Sequence, residues 1–193
     1  MKVFFIGMPK SGRTTVAKAL CQENKRHYID TSSWVKCSFR DPNIDEHPQQ
    51  YHDEYHQWFT NRLKINPYLC IDEVIDSTSA IKDNNKTIII DNIVGPKDFI
   101  HLFDYNNDIV IFMNRTDTDT EYKDYESIGV SVIRDYCYWL SSASLLSKDK
   151  WLEFNFKIPG EESDVVKKLG SKNTIMIVKS TNKVIEILNS YFI

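Results

Sequence analysis

The sequence predicts a doubly wound α/β fold, in which helices cover both faces of a parallel, five-stranded sheet. Two observations predict it. Segments with strand character alternate with helical segments along the chain. The clearest strands, TIIID at 87–91 and DIVIF at 108–112, are continuous apolar runs, which are typical of strands buried on both faces of a parallel sheet. The 193 residues are enough for one domain with one core, so we expect 1–193 to form a single domain.

Apolar runs place the strands. KVFFIG at 2–7 is apolar and ends at a glycine, as a buried strand often does. Residues 151–158 are compatible with a strand or with a loop, and the sequence leaves these two alternatives open. The predicted strands are 2–7, 27–30, 87–92, 108–114 and 174–178.

Helical segments fill the intervals between the strands, because apolar residues recur there at helical spacing. The longest stretch without a strand is 31–86, where a helical insertion that grips a substrate would lie. Residues 115–126 are polar and charged with little apolar periodicity, so we predict a mobile segment there. The predicted helices are 13–24, 49–64, 68–81, 97–105, 127–148, 161–169 and 181–191.

Composition limits the classes of function. The formal net charge is −3, from 24 basic and 27 acidic residues, which argues against binding DNA mainly through overall positive charge. No run reaches the roughly 20 apolar residues that a membrane helix needs, and the apolar stretch after Met1 is too short for a signal peptide. The four cysteines are scattered without a CxxC pair, as in proteins that keep reduced thiols. We therefore expect a cytoplasmic protein without membrane partners.

The segment GMPKSGRTT at 7–15 has the spacing of a phosphate-binding loop. It follows a predicted strand and opens a predicted helix, which is the context that makes this spacing meaningful. Its two glycines allow backbone conformations closed to other residues. Successive N–H groups can then point inward and bind an anion at the helix N-terminus. The predicted nucleotide-binding residues are Gly7, Pro9, Lys10, Ser11, Gly12, Arg13, Thr14 and Thr15.

Arg13 departs from the usual pattern, in which lysine holds this position and reaches the β- and γ-phosphates. Lysine is a compact charge, whereas arginine is longer, planar and suited to bidentate contacts. We expect Arg13 to act as a catalytic cation that binds phosphate but positions it less well for transfer. Lys10 is expected to supply part of the point charge. Thr14 is expected to place its hydroxyl on a magnesium ion, and Thr15 to contact the α-phosphate.

Four segments together resemble the nucleoside-monophosphate-kinase-like branch of the P-loop kinases. They are the loop at 7–15, YIDTS at 28–32, IIIDNIVGPKDF at 88–99 and TIMIVKSTNKVIEIL at 174–188. Virally encoded deoxynucleotide kinases, and relatives that phosphorylate 5-hydroxymethyluracil within DNA, are the nearest members expected. The resemblance implies ATP and Mg²⁺ as cofactors, an acceptor-binding insertion over 31–86 and a lid over 115–150.

Two aspartates are the candidate catalytic carboxylates. Asp91 ends a buried strand that we expect beside the first one, and a carboxylate there can orient magnesium or contact the acceptor; the alternative is a cap for the next turn. Asp30 ends the second strand, where the resembling kinases carry an acidic residue that faces the acceptor. It is expected to orient the acceptor hydroxyl or accept its proton, and the alternative is an N-cap for a helix beginning near Ser32.

Three cationic residues outside the loop are candidates for contacts with the phosphates or the acceptor. Lys97 follows Pro96, where the adenylate-kinase pattern has an arginine that contacts the acceptor. Arg115 opens the polar segment, where lid arginines often begin, and Arg134 is placed to swing onto the phosphates from the following helix. The alternatives are a solvated lysine at a helix start and salt bridges with neighbouring acids. The paired arginines usual in lids are missing.

The function expected from these residues is transfer of the γ-phosphate of ATP to a nucleotide-type acceptor. That acceptor is a deoxynucleoside monophosphate or a hydroxymethylated pyrimidine nucleotide, free or within DNA. Two alternatives stay open. One is a non-catalytic nucleotide-binding protein, which Arg13 favours; the other is a kinase of a small metabolite such as a sugar acid, for which HYIDTS at 27–32 is the support. We expect a monomer or homodimer, in the host cytoplasm if the protein is viral.

Overall fold

The computed structural model describes residues 1–7, 10–22, 26–32, 48–81, 86–93, 95–114, 125–156, 174–178 and 180–192. Its strands and helices alternate along the chain as the sequence predicts. The strands are β1 (Lys2–Gly7), β2 (Arg26–Asp30), β3 (Thr87–Asp91), β4 (Ile109–Asn114), β5 (Trp151–Phe156) and β6 (Thr174–Val178). The helices are α1 (Arg13–Gln22), α2 (Pro48–Ile65), α3 (Ile71–Ser79), α4 (Pro96–Leu102), α5 (Tyr125–Ser142) and α6 (Thr181–Tyr191).

The strands form one parallel sheet in the order β2-β3-β1-β4-β5-β6. The chain builds one side of the sheet with β2 and β3, then crosses β1 to build the other side. Open parallel sheets bind ligands beyond the carboxyl ends of their strands, at the point where the order reverses. Here that point lies at the end of β1, and the residues that end β1, β3 and β4 there are Gly7, Asp91 and Asn114.

Among the described residues the sheet has six strands, one more than the predicted five. The additional strand is β5, the segment that the sequence left open between strand and loop, and it pairs between β4 and β6. Glu153 and Asn155 interrupt its apolar pattern, although five of its six residues are buried. Because these polar residues break the apolar pattern, the sequence does not distinguish this strand from a loop. The helix predicted over 161–169 lies outside the described residues.

Alternate residues of each strand pack into two apolar clusters, one on each face of the sheet. On one face Phe4 packs with residues of α3, α4 and α5, and its ring meets that of Phe99 edge-on with 5.2 Å between centroids. On the other face Phe5 packs with residues of α1 and α6, among them Leu20 and Leu188. Helices therefore cover both faces, and the parallel α/β fold predicted from the sequence is confirmed.

A carboxylate from α4 holds the start of α3. Asp98 is fully buried, and its oxygens accept hydrogen bonds from the backbone N–H groups of Leu69 at 2.9 Å and Cys70 at 3.1 Å. Because these amides are bonded to Asp98, α3 begins at Ile71 rather than at residue 68 as predicted. Gly95 is needed beside this contact, since a Cβ at that position would lie 2.1 Å from Asp98 Oδ2.

The end of α5 also differs from the prediction. The helix ends at Ser142 instead of 148, because Ser144 takes a left-handed conformation with φ 60°. The N–H of Leu145 then bonds back to the carbonyl of Leu140 at 2.9 Å. This six-to-one bond is typical of a helix end stabilised by a left-handed residue.

The regions predicted to be the acceptor insertion and the lid are described in part. Helices α2 and α3 lie within 31–86, and α5 lies within 115–150. The roles assigned to these regions stay predictions. Among the described helices, none combines the length and the apolar content needed to cross a membrane.

We predict that Asp98→Ala lowers the free energy of unfolding by about 2 kcal/mol, because the buried amides of Leu69 and Cys70 lose their acceptor. Urea denaturation measures the loss. The matched control is Asp135→Ala at an exposed position of α5, which should change the free energy by less than about 0.5 kcal/mol. Equal effects of the two substitutions would show that the contact does not hold α3.

Candidate functional site

The described part of the loop after β1 contains two residues in the left-handed conformation. Lys10 and Gly12 have φ angles of 64° and 83°, both in the left-handed region, and helix α1 begins at Arg13. Alternation of left-handed and right-handed residues points successive N–H groups to one side, where they bind anions. The first N–H groups of α1 add to them, because they have no partner within the helix. Residues 10–13 therefore turn into α1 with backbone angles that suit an anion site, and nucleotide binding by the loop stays a prediction.

Two close approaches explain the two glycines. A Cβ at Gly7 would lie 2.5 Å from the carbonyl oxygen of Met113 on β4, and a Cβ at Gly12 would lie 2.5 Å from Thr181 Cγ2 at the start of α6. Real Cβ atoms do not come so near, and a positive φ at Gly12 is costly for other residues. The loop is thus clamped between the end of β4 and the first turn of α6.

The polar side chains of the loop fit a phosphate group. Ser11 is fully buried, yet its hydroxyl has no hydrogen-bond partner in the described residues. A buried hydroxyl without a partner is costly, and a phosphate oxygen in the cradle would remove that cost. Lys10 and Thr15 are exposed beside it and Thr14 is half-buried. Pro9, also predicted to contact the nucleotide, lies outside the described residues.

Arg13 points into the protein and not into the cradle. Its side chain is almost completely buried. One terminal nitrogen donates to the carbonyl of Gly7 and the other to Oδ1 of Asn92. Its Nε lies 3.5 Å from Oδ1 of Asp91. Each guanidinium nitrogen therefore has a partner at the carboxyl end of the sheet. The sequence analysis, which expected Arg13 to bind phosphate, did not predict these contacts.

Asp91 is surrounded by donors. It is fully buried. Its Oδ1 accepts from the N–H of Asn92 at 2.9 Å, and its Oδ2 accepts from the hydroxyl of Tyr28 at 2.9 Å. The Thr14 side chain lies beside this carboxylate and lowers its pKa. Burial raises the pKa of Asp91, and the charge of Arg13, the Thr14 side chain and the bond from Tyr28 oppose that rise.

The contacts of Asp91 do not fit the predicted magnesium site. A carboxylate offers about four lone-pair sites. Tyr28 donates to Oδ2 and the Asn92 N–H donates to Oδ1, both at 2.9 Å, while Arg13 Nε lies 3.5 Å from Oδ1 and Asn92 Nδ2 lies 3.4 Å from Oδ2. A magnesium ion needs a free oxygen, or a water held on one.

Asn92 is the residue that the sequence analysis missed. It takes a left-handed conformation with φ 64° directly after β3 and is largely buried. Its carbonyl oxygen accepts from Arg13, and its amide nitrogen donates to Oδ1 of Asp30 at 2.9 Å. Asparagine tolerates this backbone better than most residues, so its place after a buried strand was a usable signal. Asn92 joins the phosphate loop to the acceptor candidate.

Asp30 lies beside this network at the end of β2, in register with Asp91 on β3. It is partly exposed and accepts from the hydroxyl of Ser32 at 2.7 Å and from its N–H at 3.0 Å. Burial opposes ionisation, but the hydrogen bonds from Asn92 and Ser32 and the charge of Lys18 together lower the pKa of Asp30. The contact with Ser32 is also the N-cap geometry that was the alternative interpretation.

The structure describes two of the three remaining cationic candidates. Arg134 forms an ion pair with Glu153 on β5, and Glu153 also accepts from Asn114 at 2.7 Å. Three strand spacings separate β5 from β3, so Glu153 is roughly 14 Å from Asp91 at about 4.8 Å per spacing. Lys97 is exposed in the first turn of α4. Arg115 lies outside the described residues. Roles for these three in phosphate or acceptor binding stay predictions.

Comparison with known proteins shows the fold. No family model and no curated protein matches the sequence. The solved thymidylate kinase of Ehrlichia chaffeensis is similar to the chain with a TM-score of 0.54, at 12% identity, over 100% of this chain and 98% of that one. The shikimate kinase of Bacteroides thetaiotaomicron gives a TM-score of 0.36 at 12% identity, over 80% and 85%. The chain therefore shares its parallel α/β fold with the thymidylate kinase along its whole length.

We predict that Arg13→Met lowers the free energy of unfolding by about 3 kcal/mol, because it leaves Asp91 buried without its cation. Adding Asp91→Asn should recover part of that loss, since the unpaired charge is removed. Urea denaturation of both single variants and the double variant gives the coupling between the two residues. Arg26→Met, which removes a partly buried arginine at the opposite ends of the strands, is the control and should cost less. Additive losses would mean that the two residues do not depend on each other.

The lowered pKa of Asp30 predicts a pH dependence of stability. Its folded pKa lies below the ordinary aspartate value of about 4, so its contribution is complete above about pH 4 and is lost as the pH falls through the folded value. Asp30→Asn removes this contribution. The free energy of unfolding, measured from pH 6 downward, should fall less steeply below about pH 4 in Asp30→Asn than in the wild type. If the curve of Asp30→Asn ran parallel to that of the wild type, the prediction would be contradicted.

Proposed function

We propose that the protein is an ATP-dependent phosphotransferase that moves the γ-phosphate to a nucleotide-type acceptor. The carrying observation is the phosphate cradle at the point of strand-order reversal, with Lys10 and Gly12 in left-handed conformations and the hydroxyl of Ser11 buried without a partner. The fold shared with a thymidylate kinase along the whole chain supports the proposal. The acceptor class is a deoxynucleoside monophosphate or a hydroxymethylpyrimidine nucleotide, free or within DNA.

In this proposal the loop binds the phosphates of ATP, the phosphate donor. Backbone N–H groups of residues 11–15 bind the phosphate oxygens, and the hydroxyl of Ser11 donates to one of them. Lys10 is exposed at the rim of the cradle, where its ammonium group can balance charge on the outer phosphates. Phosphoryl transfer needs alignment and charge neutralisation rather than covalent chemistry by the protein, and fixed N–H groups supply both without reorganisation.

In this proposal Asp30 orients the acceptor. Its lowered pKa keeps the carboxylate ionised at neutral pH, so it accepts a hydrogen bond from a hydroxyl and orients it toward the cradle. Asn92 connects it to Arg13 and thereby to the first turn of α1. Because an ionised carboxylate repels a phosphate dianion, a hydroxyl acceptor such as a hydroxymethylpyrimidine suits this residue better than a monophosphate.

A second candidate is a non-catalytic nucleotide-binding protein. The contacts of Arg13 favour it, since both terminal nitrogens donate hydrogen bonds within the protein and Nε lies 3.5 Å from Asp91 Oδ1. A loop of this kind can bind a nucleotide by its backbone alone while lacking a mobile cation that follows the transferred phosphate. Both candidate proteins bind a nucleotide, and only the phosphotransferase transfers its γ-phosphate.

We predict that ATP or GTP labelled in the γ-phosphate transfers label to one member of an acceptor panel. The panel comprises the deoxynucleoside monophosphates, hydroxymethyl-dUMP, hydroxymethyluracil DNA and small sugar acids. If the labelled acceptor carries a hydroxymethyl group, Asp30→Asn should lower kcat/KM by about 10²-fold, since a positioned carboxylate is lost, whereas Asp135→Asn should leave it unchanged. Nucleotide binding without labelling of any acceptor would favour the non-catalytic candidate, and absence of binding would contradict both.

A further inference from the structure

The cation that neutralises Asp91 is part of the chain. The carboxylate is fully buried, and the guanidinium of Arg13 lies 3.5 Å from it. A buried carboxylate needs a positive partner or a set of donors. In phosphate loops that use a metal, a loop serine or threonine and an acidic residue hold the ion beside the phosphates, so that bound nucleotide and bound metal strengthen each other. Here Arg13 already supplies that charge.

The shape of the guanidinium explains why arginine suits this position. Its three partners, the Gly7 carbonyl, the Asn92 side chain and the Asp91 carboxylate, each face a different nitrogen of one planar group. Arginine presents five N–H donors in a fixed fork. Lysine carries its donors on one nitrogen and cannot contact three separated acceptors in this way. The partners also come from two strands, so the arginine joins the ends of β1 and β3 to α1.

Donors face both oxygens of the carboxylate. The hydroxyl of Tyr28 donates to Oδ2, and the backbone N–H of Asn92 donates to Oδ1, the oxygen that Arg13 also faces. A metal-bound water would have to displace one of these donors, and each displaced donor would stay buried without a partner. The arrangement is complete as it stands.

We infer that the guanidinium of Arg13 takes the place of a divalent cation at Asp91, so that the loop binds a nucleotide triphosphate without a metal ion held by the chain. This inference rests on the proposed nucleotide-binding function of the same loop. It assigns Arg13 the role of a positioning residue, which acts through Asp91 and Asn92 and leaves contact with the phosphates to the loop amides and Lys10. Arginine in place of lysine is then an adaptation of the site.

Calorimetric titration of the full chain with ATP, and then with GTP, tests the inference in Mg²⁺ and in EDTA. The dissociation constant of the wild type for the free nucleotide in EDTA should exceed that for the magnesium complex by no more than about 10-fold. Arg13→Lys should lose about 10-fold or more in EDTA and recover in Mg²⁺, because Asp91 would then be free to hold the ion. Arg26→Lys, at the other end of the strands, should respond to Mg²⁺ as the wild type does.

The outcomes separate the inference from the proposed function. A wild-type affinity that falls more than about 10-fold in EDTA overturns the inference and leaves nucleotide binding standing. An Arg13→Lys chain that folds and responds to Mg²⁺ as the wild type does also overturns it. If neither nucleotide binds in either medium, the proposed function fails and the inference fails with it. The wild-type comparison decides the matter even if Arg13→Lys does not fold.

Discussion

A buried ion pair between Arg13 and Asp91 holds the first turn of α1 against the carboxyl end of β3. Burying two charges is costly unless each has a full set of partners, and here the partners come from several elements. Gly7 of β1, Tyr28 of β2 and Asn92 after β3 complete the set. This contact, together with the hydrogen bond from Arg13 to the Gly7 carbonyl, ties the first residue of α1 to the ends of β1 and β3.

The same physical device recurs in two other places. In each place a buried carboxylate bonds a neighbouring helix and fixes the position of that helix more closely than apolar packing does. Asp98 bonds the amides that precede α3, and Glu153 on β5 pairs with Arg134 of α5. An apolar contact permits sliding, whereas a charged hydrogen bond has one geometry. Each of these acids therefore fixes a helix that lies near the predicted acceptor and lid regions.

Much of the fold could be predicted because its signals are local. A continuous apolar strand such as Thr87–Asp91 is recognised from residues adjacent in sequence. The glycine spacing of the loop is recognised in the same way. β5 was left open, because Glu153 and Asn155 break its apolar pattern and are stabilised by Arg134 and Asn114, which are distant in sequence. The start of α3 could not be placed for the same reason, since its cap comes from Asp98.

The sequence by itself determined that a strand, a glycine-rich turn and a helix follow one another at residues 2–22, because periodicity and glycine spacing act over a few residues. It also identified Asp30 and Asp91 as acids at strand ends. Only the tertiary structure decided what Arg13 does. Its partners Asn92 and Asp91 are almost 80 residues away along the chain, and parallel pairing of β1 with β3 brings them within reach. Whether a cation faces a phosphate or a carboxylate depends on that pairing, which no local pattern encodes.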